Sequence, residues 1–321
     1  KGLQLYSKGV LIMDKCAELL PDYFSFVKGL VDSEDLSLNI SRETLQHDGQ
    51  LKLIAKTLEK KIKSELEKML KDEREAYEEF FKAFGIQLKF GIYNDYGAHK
   101  ETLRDLLIFR SSNEKKYVTL KEYVSRMKEG QDSIYYACGE TDEKIDMLPQ
   151  TDAVKDKGYE ILYLSENVDE FALKMLAEYD GKKFVNICDN DLNLDSEDEK
   201  KALEEENTAA KDMFEAMKES IGDKINAVRF TNKLKDHPVC LTSEGGISLE
   251  MEKVLNSMPG AEQNKVKAQL VLEINANHPI AEKLKTLYNE DKDTLGKYAK
   301  LLYGEACLIG GKSVPDPAEH S

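Results

Sequence analysis

The sequence predicts an α+β fold, and three observations carry that prediction. A long stretch, residues 45–70, places apolar residues at spacings of 3 and 4, the period of a helix with one buried face. Three short apolar runs at 133–138, 160–164 and 183–188 alternate with helical stretches, the rhythm of βαβ units. Beyond an acidic break at 189–206, a second group of short strands is interleaved with helices. The length of 321 residues agrees with two or three such modules.

Taken in order, residues 1–6 read as a strand entered in its middle, so the chain is expected to be a piece of a longer protein. Residues 8–13 (KGVLIM) form a second strand. Asp14 caps a turn holding Cys16, Leu19 and Leu20, and Pro21 ends it. Residues 23–30 (YFSFVKGL) alternate as a strand does. The helix at 45–70 buries Leu51, Ile54, Leu58, Ile62, Leu66 and Met69 and fills its other face with lysines. A second helix covers 72–86, with Tyr77, Phe80, Phe81 and Phe84 inward and Gly85 at its end. A third spans 98–109, with Leu103, Leu106 and Leu107 inward. These helices make a small bundle. After them come a short helix at 119–127 and the three βαβ strands. The helix at 142–157 must break or kink at Pro149. Another at 168–179 has Asn167 as its cap and Gly181 just past its end.

Residues 189–206 carry nine acids against two lysines, which reads as a solvated linker entering a charged helix. A helix at 211–221, strands at 224–230 and 238–242, a Gly245-Gly246 turn, a helix at 248–258, a strand at 271–274 and helices at 279–289 and 294–309 complete the chain.

Composition excludes several classes of function. With 46 basic and 61 acidic side chains the net charge is −15, the wrong sign for a surface that gathers phosphate, so neither nucleic acid nor an acidic membrane is an expected partner. No apolar run is long enough to cross a bilayer, and no signal peptide opens the chain. The five cysteines (Cys16, Cys138, Cys188, Cys240, Cys307) are odd in number and scattered. They fit reduced thiols and a cytoplasmic protein, not a disulfide framework. The histidines are isolated, so no zinc site is expected.

Catalytic motifs are scarce. Residues 306–313 (ACLIGGKS) match a phosphate-loop pattern with Ala at its first position. A working loop follows a strand and opens a helix, whereas this one ends a helix and meets Pro315. Its glycines are better explained as helix stops. No dinucleotide fingerprint or nucleophile elbow is present. Arg42 is more informative. Asn39 and Ser41 are both candidate caps for a helix beginning near it, and a cation in the first turn opposes the macrodipole. That is a weak hint of a phosphate-facing role.

Residues 31–46 (VDSEDLSLNISRETLQ) resemble the middle-domain catalytic loop of the heat-shock protein 90 chaperone family. The preceding 11–21 (LIMDKCAELLP) resemble the stretch before that loop. Ser125-Arg-Met-Lys128, Ile134-Tyr-Tyr136, Gly139-Glu-Thr141, Asp169-Glu170 and Gly181-Lys182 follow in family order. The resemblance is co-linear from residue 1 to the end. It is nearer the bacterial branch, given the short loops at 86–100 and the absence of a long charged insert.

It implies α/β/α middle-domain segments joined by a helical connector at about 50–109, with a small α/β/α unit at about 117–188. Residues 1–188 would be the later part of a middle domain. Residues 189–321 would be an α+β dimerisation domain whose last helix, from near Asp316, is cut short. The nucleotide-binding domain would be absent. ATP and Mg would belong to the full-length protein, and neither is expected on this chain.

The resemblance assigns Arg42, with Gln46 beside it, to the γ-phosphate of that absent domain, in the manner of an arginine finger. This chain alone is therefore expected not to hydrolyse ATP. It also implies partly folded client proteins and a second copy of the chain as partners. The client surface would use Glu170 and Phe171 on one helix, and Ile247, Met251, Val254 and Leu255 on another that ends at Met258. The dimer would use Leu295, Tyr298, Leu302, Ala306 and Ile309. From residues alone, each of these stripes also reads as ordinary core, the one on 168–179 more so than the one on 248–258. The rival functions are a stand-alone α/β enzyme sited in the βαβ block and an interaction scaffold without ATPase coupling.

Overall fold

Where the chain turns back at Lys8-Gly9, both residues take positive φ (50° and 77°), the geometry that joins two strands tightly. Leu3–Ser7 (β1) and Val10–Cys16 (β2) pair antiparallel across that turn, and Leu30–Asp32 (β3) adds a parallel third strand on β1. The computed structural model describes residues 2–36 and 48–312 and is α+β. It separates into two compact units. One comprises Lys1–Ile108, Tyr117–Glu122 and Phe171–Ala177, and the other comprises Phe109–Lys116, Tyr123–Glu170 and Glu178–Ser321.

In the first unit, helix Gly49–Asp72 (α1) lays Leu51, Ile54 and Leu58 on a core of Leu3, Leu5, Leu19 and Leu36. It starts four residues later than expected because Asp48 caps it, its Oδ1 accepting from Gln50 N at 2.7 Å and Leu51 N at 3.1 Å. Arg74–Tyr93 (α2) follows after a break at Glu73. The expected stop at Gly85 does not occur, and the helix runs on through Gly91. Both glycines are spacers. A Cβ at Gly85 would sit 2.7 Å from the Phe81 ring, and one at Gly91 would sit 2.6 Å from the Cβ of Tyr23.

The expected strand at 23–30 is also not formed. Tyr23 and Phe24, consecutive in sequence, are both buried in a 3-10 turn. Tyr23 donates to Glu59 Oε1 at 2.5 Å, and Phe26 stacks on Phe84 at 5.2 Å. Contacts with α1 and α2 thus override a weak alternation. The helix expected at 98–109 shrinks to one turn, Lys100–Leu103 (α3), and a 3-10 turn, Arg104–Leu106. There the Leu106 carbonyl accepts the Tyr77 hydroxyl, and strand Ile108–Ser111 (β4) begins two residues later. Tyr117–Thr119 (β5) and Leu120–Ser125 (α4) follow.

The second unit bears out the βαβ expectation. Ser133–Cys138 (β6) lies between Ile161–Leu164 (β7) and Lys182–Asn186 (β9), parallel to both. β4 extends this sheet antiparallel beyond β7. Arg126 of the matched Ser-Arg-Met-Lys motif grips Glu160 through two 3.0 Å bonds. Pro149 splits the 142–157 helix into Asp142–Asp146 (α5) and Gln150–Asp156 (α6), as its missing N–H requires.

The helix expected at 168–179 is shorter, Asp169–Leu176 (α7). Ala177 turns to φ 64°, and Glu178–Tyr179 (β8) forms a hairpin with β9 around Asp180-Gly181. Gly181 is therefore a hairpin residue and not a helix stop. Asp-Gly between strands is the signal that could have revealed it.

The acidic stretch is loose only in part. Leu192 is buried with Ile187 and Tyr163, and Asn190 N donates to Ser243 O at 2.8 Å. The charged helix begins at Glu197 (α8, Glu197–Ala209), where Ser196 Oγ caps Glu199 N and three acids occupy the first turn. Lys211–Ile221 (α9), Pro279–Glu290 (α11) and Lys292–Gly310 (α12) enclose a three-stranded sheet. In it Gln269–Asn275 (β12) is central, parallel to Ala227–Thr231 (β10) and antiparallel to Val239–Glu244 (β11). Between β11 and β12 lies Leu249–Ser257 (α10).

Replacing Gly91 by Ala tests the spacer reading. Helix propensity alone would favour Ala by about 1 kcal/mol, but overpacking against a Cβ that cannot rotate away costs about 1–3 kcal/mol. Urea unfolding is expected to show a net loss of stability, and a gain would contradict the packing.

Candidate functional site

Helix α10 differs from α9, α11 and α12, which bury side chains in the second unit's C-terminal core. None of its side chains is fully buried. Met251, Val254 and Leu255 are half-buried, and Met258 just past its end is 52 % exposed. Ile247, before the cap, packs partly against the core around β12. With so little apolar burial, the helix is held largely by polar attachments.

Ser248 Oγ accepts from Met251 N at 3.1 Å as the N-cap, and Glu250 and Glu252 in the first turn suit the macrodipole. Lys253 Nζ donates to the carbonyl of Gly311 at the end of α12. Asn256 exchanges two 2.8 Å bonds with the backbone of Val266.

Glu170, expected on a client surface, is instead buried, with 4 % of its surface exposed. Its Oε2 accepts from Tyr136 Oη at 2.6 Å and Asn186 Nδ2 at 2.9 Å, and its Oε1 accepts the Ser248 hydroxyl. Both carboxylate oxygens are thus engaged within the fold. Phe171, its neighbour in sequence, belongs to the first unit. It is half-buried, edge-on to Tyr93 with ring centroids 5.6 Å apart. Sequence reading missed Ser248, Tyr136 and Asn186. Only the serine carried a signal, standing before an amphipathic run as caps do.

The stripe expected at the dimer contact is mostly this chain's own core. Leu295, Leu302 and Ala306 are buried with Ala299, Tyr303 and Cys307, while Tyr298 packs against them. Ile309 is half-buried. What α12 leaves outward is Leu301, 71 % exposed, and Leu308, 66 % exposed. They lie seven residues apart on one face, with open space over Gly304 between them.

Arg42 and Gln46 lie outside the described residues, as do Ser313 and the expected start of a last helix near Asp316. The phosphate-loop match ends α12 instead of opening a helix, and Gly311 is its left-handed C-cap at φ 77°. Among the described residues no group of three or more His, Cys, Asp or Glu side chains is placed to hold a metal ion.

A cleft of about 40 Å³ in the second unit is lined by Cys138, Cys188 and Cys240, together with Gln150, Ser248 and Ile309. It offers no thiolate chemistry. Desolvation first, then the carboxylate of Glu170, raises the Cys138 and Cys188 thiols, that of Cys188 to about 12. Desolvation and Glu273 raise Cys240 well above its usual range.

The chain matches the family model described as Hsp90 protein over residues 1–321. The chain belongs to the Hsp90 family. It is 58 % identical over 319 residues to the Chaperone protein HtpG of Bacillus subtilis, covering 99 % of this chain and 51 % of that protein. The Chaperone protein HtpG of Clostridium perfringens is likewise 58 % identical, with 99 % and 50 % covered. That of Alkaliphilus oremlandii is 56 % identical over 321 residues, with 100 % and 51 % covered. The chain spans about half the length of the curated relatives that it matches.

The raised thiols set an expected alkylation pattern. At pH 8 a thiol titrating near 12, as Cys188 does, holds roughly a thousandfold less thiolate than one near 9. Iodoacetamide labelling followed by peptide mass analysis is expected to mark the half-buried Cys188 slowly in the native chain and rapidly after unfolding, and fast native labelling would contradict the raised thiol.

Proposed function

We propose that this chain is the client-binding and self-associating part of a molecular chaperone. The observation that carries the reading is α10, an amphipathic helix with two methionines at its apolar edge and no side chain committed to the core. Such a surface binds varied apolar segments, because methionine adapts its shape to different partners. The relatives' shared name, Chaperone protein HtpG, supports it. On this reading Ile247, Met251, Val254 and Leu255 contact partly folded protein, and Phe171 offers a further half-buried aromatic on the first unit. Residues 1–188 are then the later middle domain and residues 189–321 the dimerisation domain.

Coupling to ATP and Mg belongs to the whole protein. Arg42, with Gln46 next to it, is the candidate for meeting the nucleotide's terminal phosphate there. A cytoplasmic setting suits the five free thiols. Among the described residues no helix is long and apolar enough to cross a membrane.

Replacing both Met251 and Leu255 by Ser is expected to weaken binding of a reduced, carboxymethylated protein by about tenfold, in line with losing two half-buried apolar contacts of roughly 0.7 kcal/mol each. The melting transition should stay cooperative. Its collapse would assign the stripe to the fold instead.

Self-association on this reading uses the outward ridge of α12, since the inward stripe is spent on the core. Leu301→Asp is expected to shift sedimentation toward monomer at concentrations where the parent chain associates. If Leu301→Asp and Leu308→Asp both leave the distribution unchanged, the ridge is not the contact.

A further inference from the structure

We infer that Glu170 is a positioning residue for α10: it holds the hydroxyl of Ser248 in the orientation that caps this helix, and so sets where the client-facing stripe sits. The inference rests on the reading of α10 as a client surface and assigns Glu170 a part in it without contact. A serine hydroxyl has one proton and two lone pairs. Here the proton goes to Glu170 Oε1, which leaves a lone pair for Met251 N. Without the carboxylate the hydroxyl rotates among partners, and the cap is made only part of the time.

Glu170 is itself preset. Tyr136 and Asn186 hold its other oxygen from two adjacent parallel strands. Burial and the Glu170 carboxylate both raise the Tyr136 phenol, so it stays a donor. Ser248 is buried as well, with 7 % of its surface exposed. Glu170, Tyr136 and Ser248 are thus all buried, and hydrogen bonds to a buried carboxylate are the strong ones.

The consequence is large because α10 has little else. Its remaining polar attachments are Lys253 to Gly311 and Asn256 to Val266, both further along the helix. Among the described residues the Glu170–Ser248 contact, with the partial packing of Ile247, secures the N-terminal end beside Met251. Moving that end by one rotamer changes which face of Met251 and Leu255 is offered.

The test is a double-mutant cycle in the 321-residue chain with Glu170→Ala, Ser248→Ala and the pair. Amide hydrogen exchange over 249–257 reports the helix, and exchange over 279–290 reports the underlying domain. Loss of a cap raises local opening by roughly five- to tenfold, so each single variant is expected to speed exchange over 249–257 by about that factor while 279–290 holds. The pair is expected to be no faster than Ser248→Ala, and Ser248→Thr, which keeps the hydroxyl, to restore slow exchange. Should Glu170→Ala not fold, Glu170→Gln keeps the size and an acceptor oxygen, and is expected to give a smaller acceleration in the same segment only.

Binding of a fluorescent reduced, carboxymethylated α-lactalbumin is measured on the same variants. Glu170→Ala is expected to weaken it in the parent background and to have no further effect once Ser248 is Ala. A full effect of Glu170→Ala persisting beside Ser248→Ala overturns the inference, since the carboxylate would then act on the client directly. Unchanged exchange over 249–257 in Glu170→Ala overturns it as well, whatever binding does. The surface reading fails separately, if Met251→Ser with Leu255→Ser leaves α-lactalbumin binding intact.

Discussion

The pairing of β12 with strands on both sides is the constraint on which the second unit depends. Six of its seven residues are buried, including Glu273 and Asn275, so both edges and both faces must be covered. β10 and β11 cover the edges. Helices α9, α11 and α12 enclose the sheet, and α12 gives up Leu295, Leu302 and Ala306 to do so. Asn275 spends its amide on the carbonyls of Lys235 and His237 at 3.0 Å each, which fixes the approach to β11. Residues that a helical wheel offers to a partner are thus claimed first by the chain itself.

The same constraint decides what is left over. β11 runs out past Glu244 into two glycines with positive φ (82° and 89°), and the chain re-enters at Ser248. There it meets a carboxylate and not a core. Ser243 at the end of β11 also receives Asn190 and reaches back to Cys188. The acidic stretch is thereby fastened at its start and solvated only further on. Helix α10 lies over this seam with its apolar face half covered. A globular chain normally buries such a face, and leaving it partly open is consistent with a surface that takes up other apolar chain. The cleft beneath it, lined by protonated thiols, adds no reactive group.

Much of this was legible residue by residue. The βαβ strands, the break at Pro149 and the stripe on α1 follow from local periodicity and the chemistry of single residues. The mistakes share a cause. Gly85 read as a stop because glycine often ends helices, yet here it makes room for Phe81. Residues 23–30 read as a strand because aromatic and polar residues alternate, yet Tyr23 and Phe26 are drawn to separate partners on α1 and α2. Gly181 was assigned to the wrong neighbour, since Asp-Gly suits a hairpin as well as a helix end. Glu170 looked like a surface acid. Its donors Tyr136, Asn186 and Ser248 stand 34, 16 and 78 residues away, beyond the reach of any local pattern.

The sequence by itself determined the α+β class, the kinds of most elements, the net charge of −15 and the family resemblance carried by motifs in order. These depend on side-chain type and near-neighbour spacing, which the chain states directly. Tertiary structure alone decided which apolar stripe is core and which is surface, and whether an acid faces water or a hydroxyl. Both questions turn on competition between distant segments for the same buried volume. Leu302 and Met251 are equally apolar on paper. One is 6 % exposed and the other only half covered, because β12 and its partners had room for the first and not for the second.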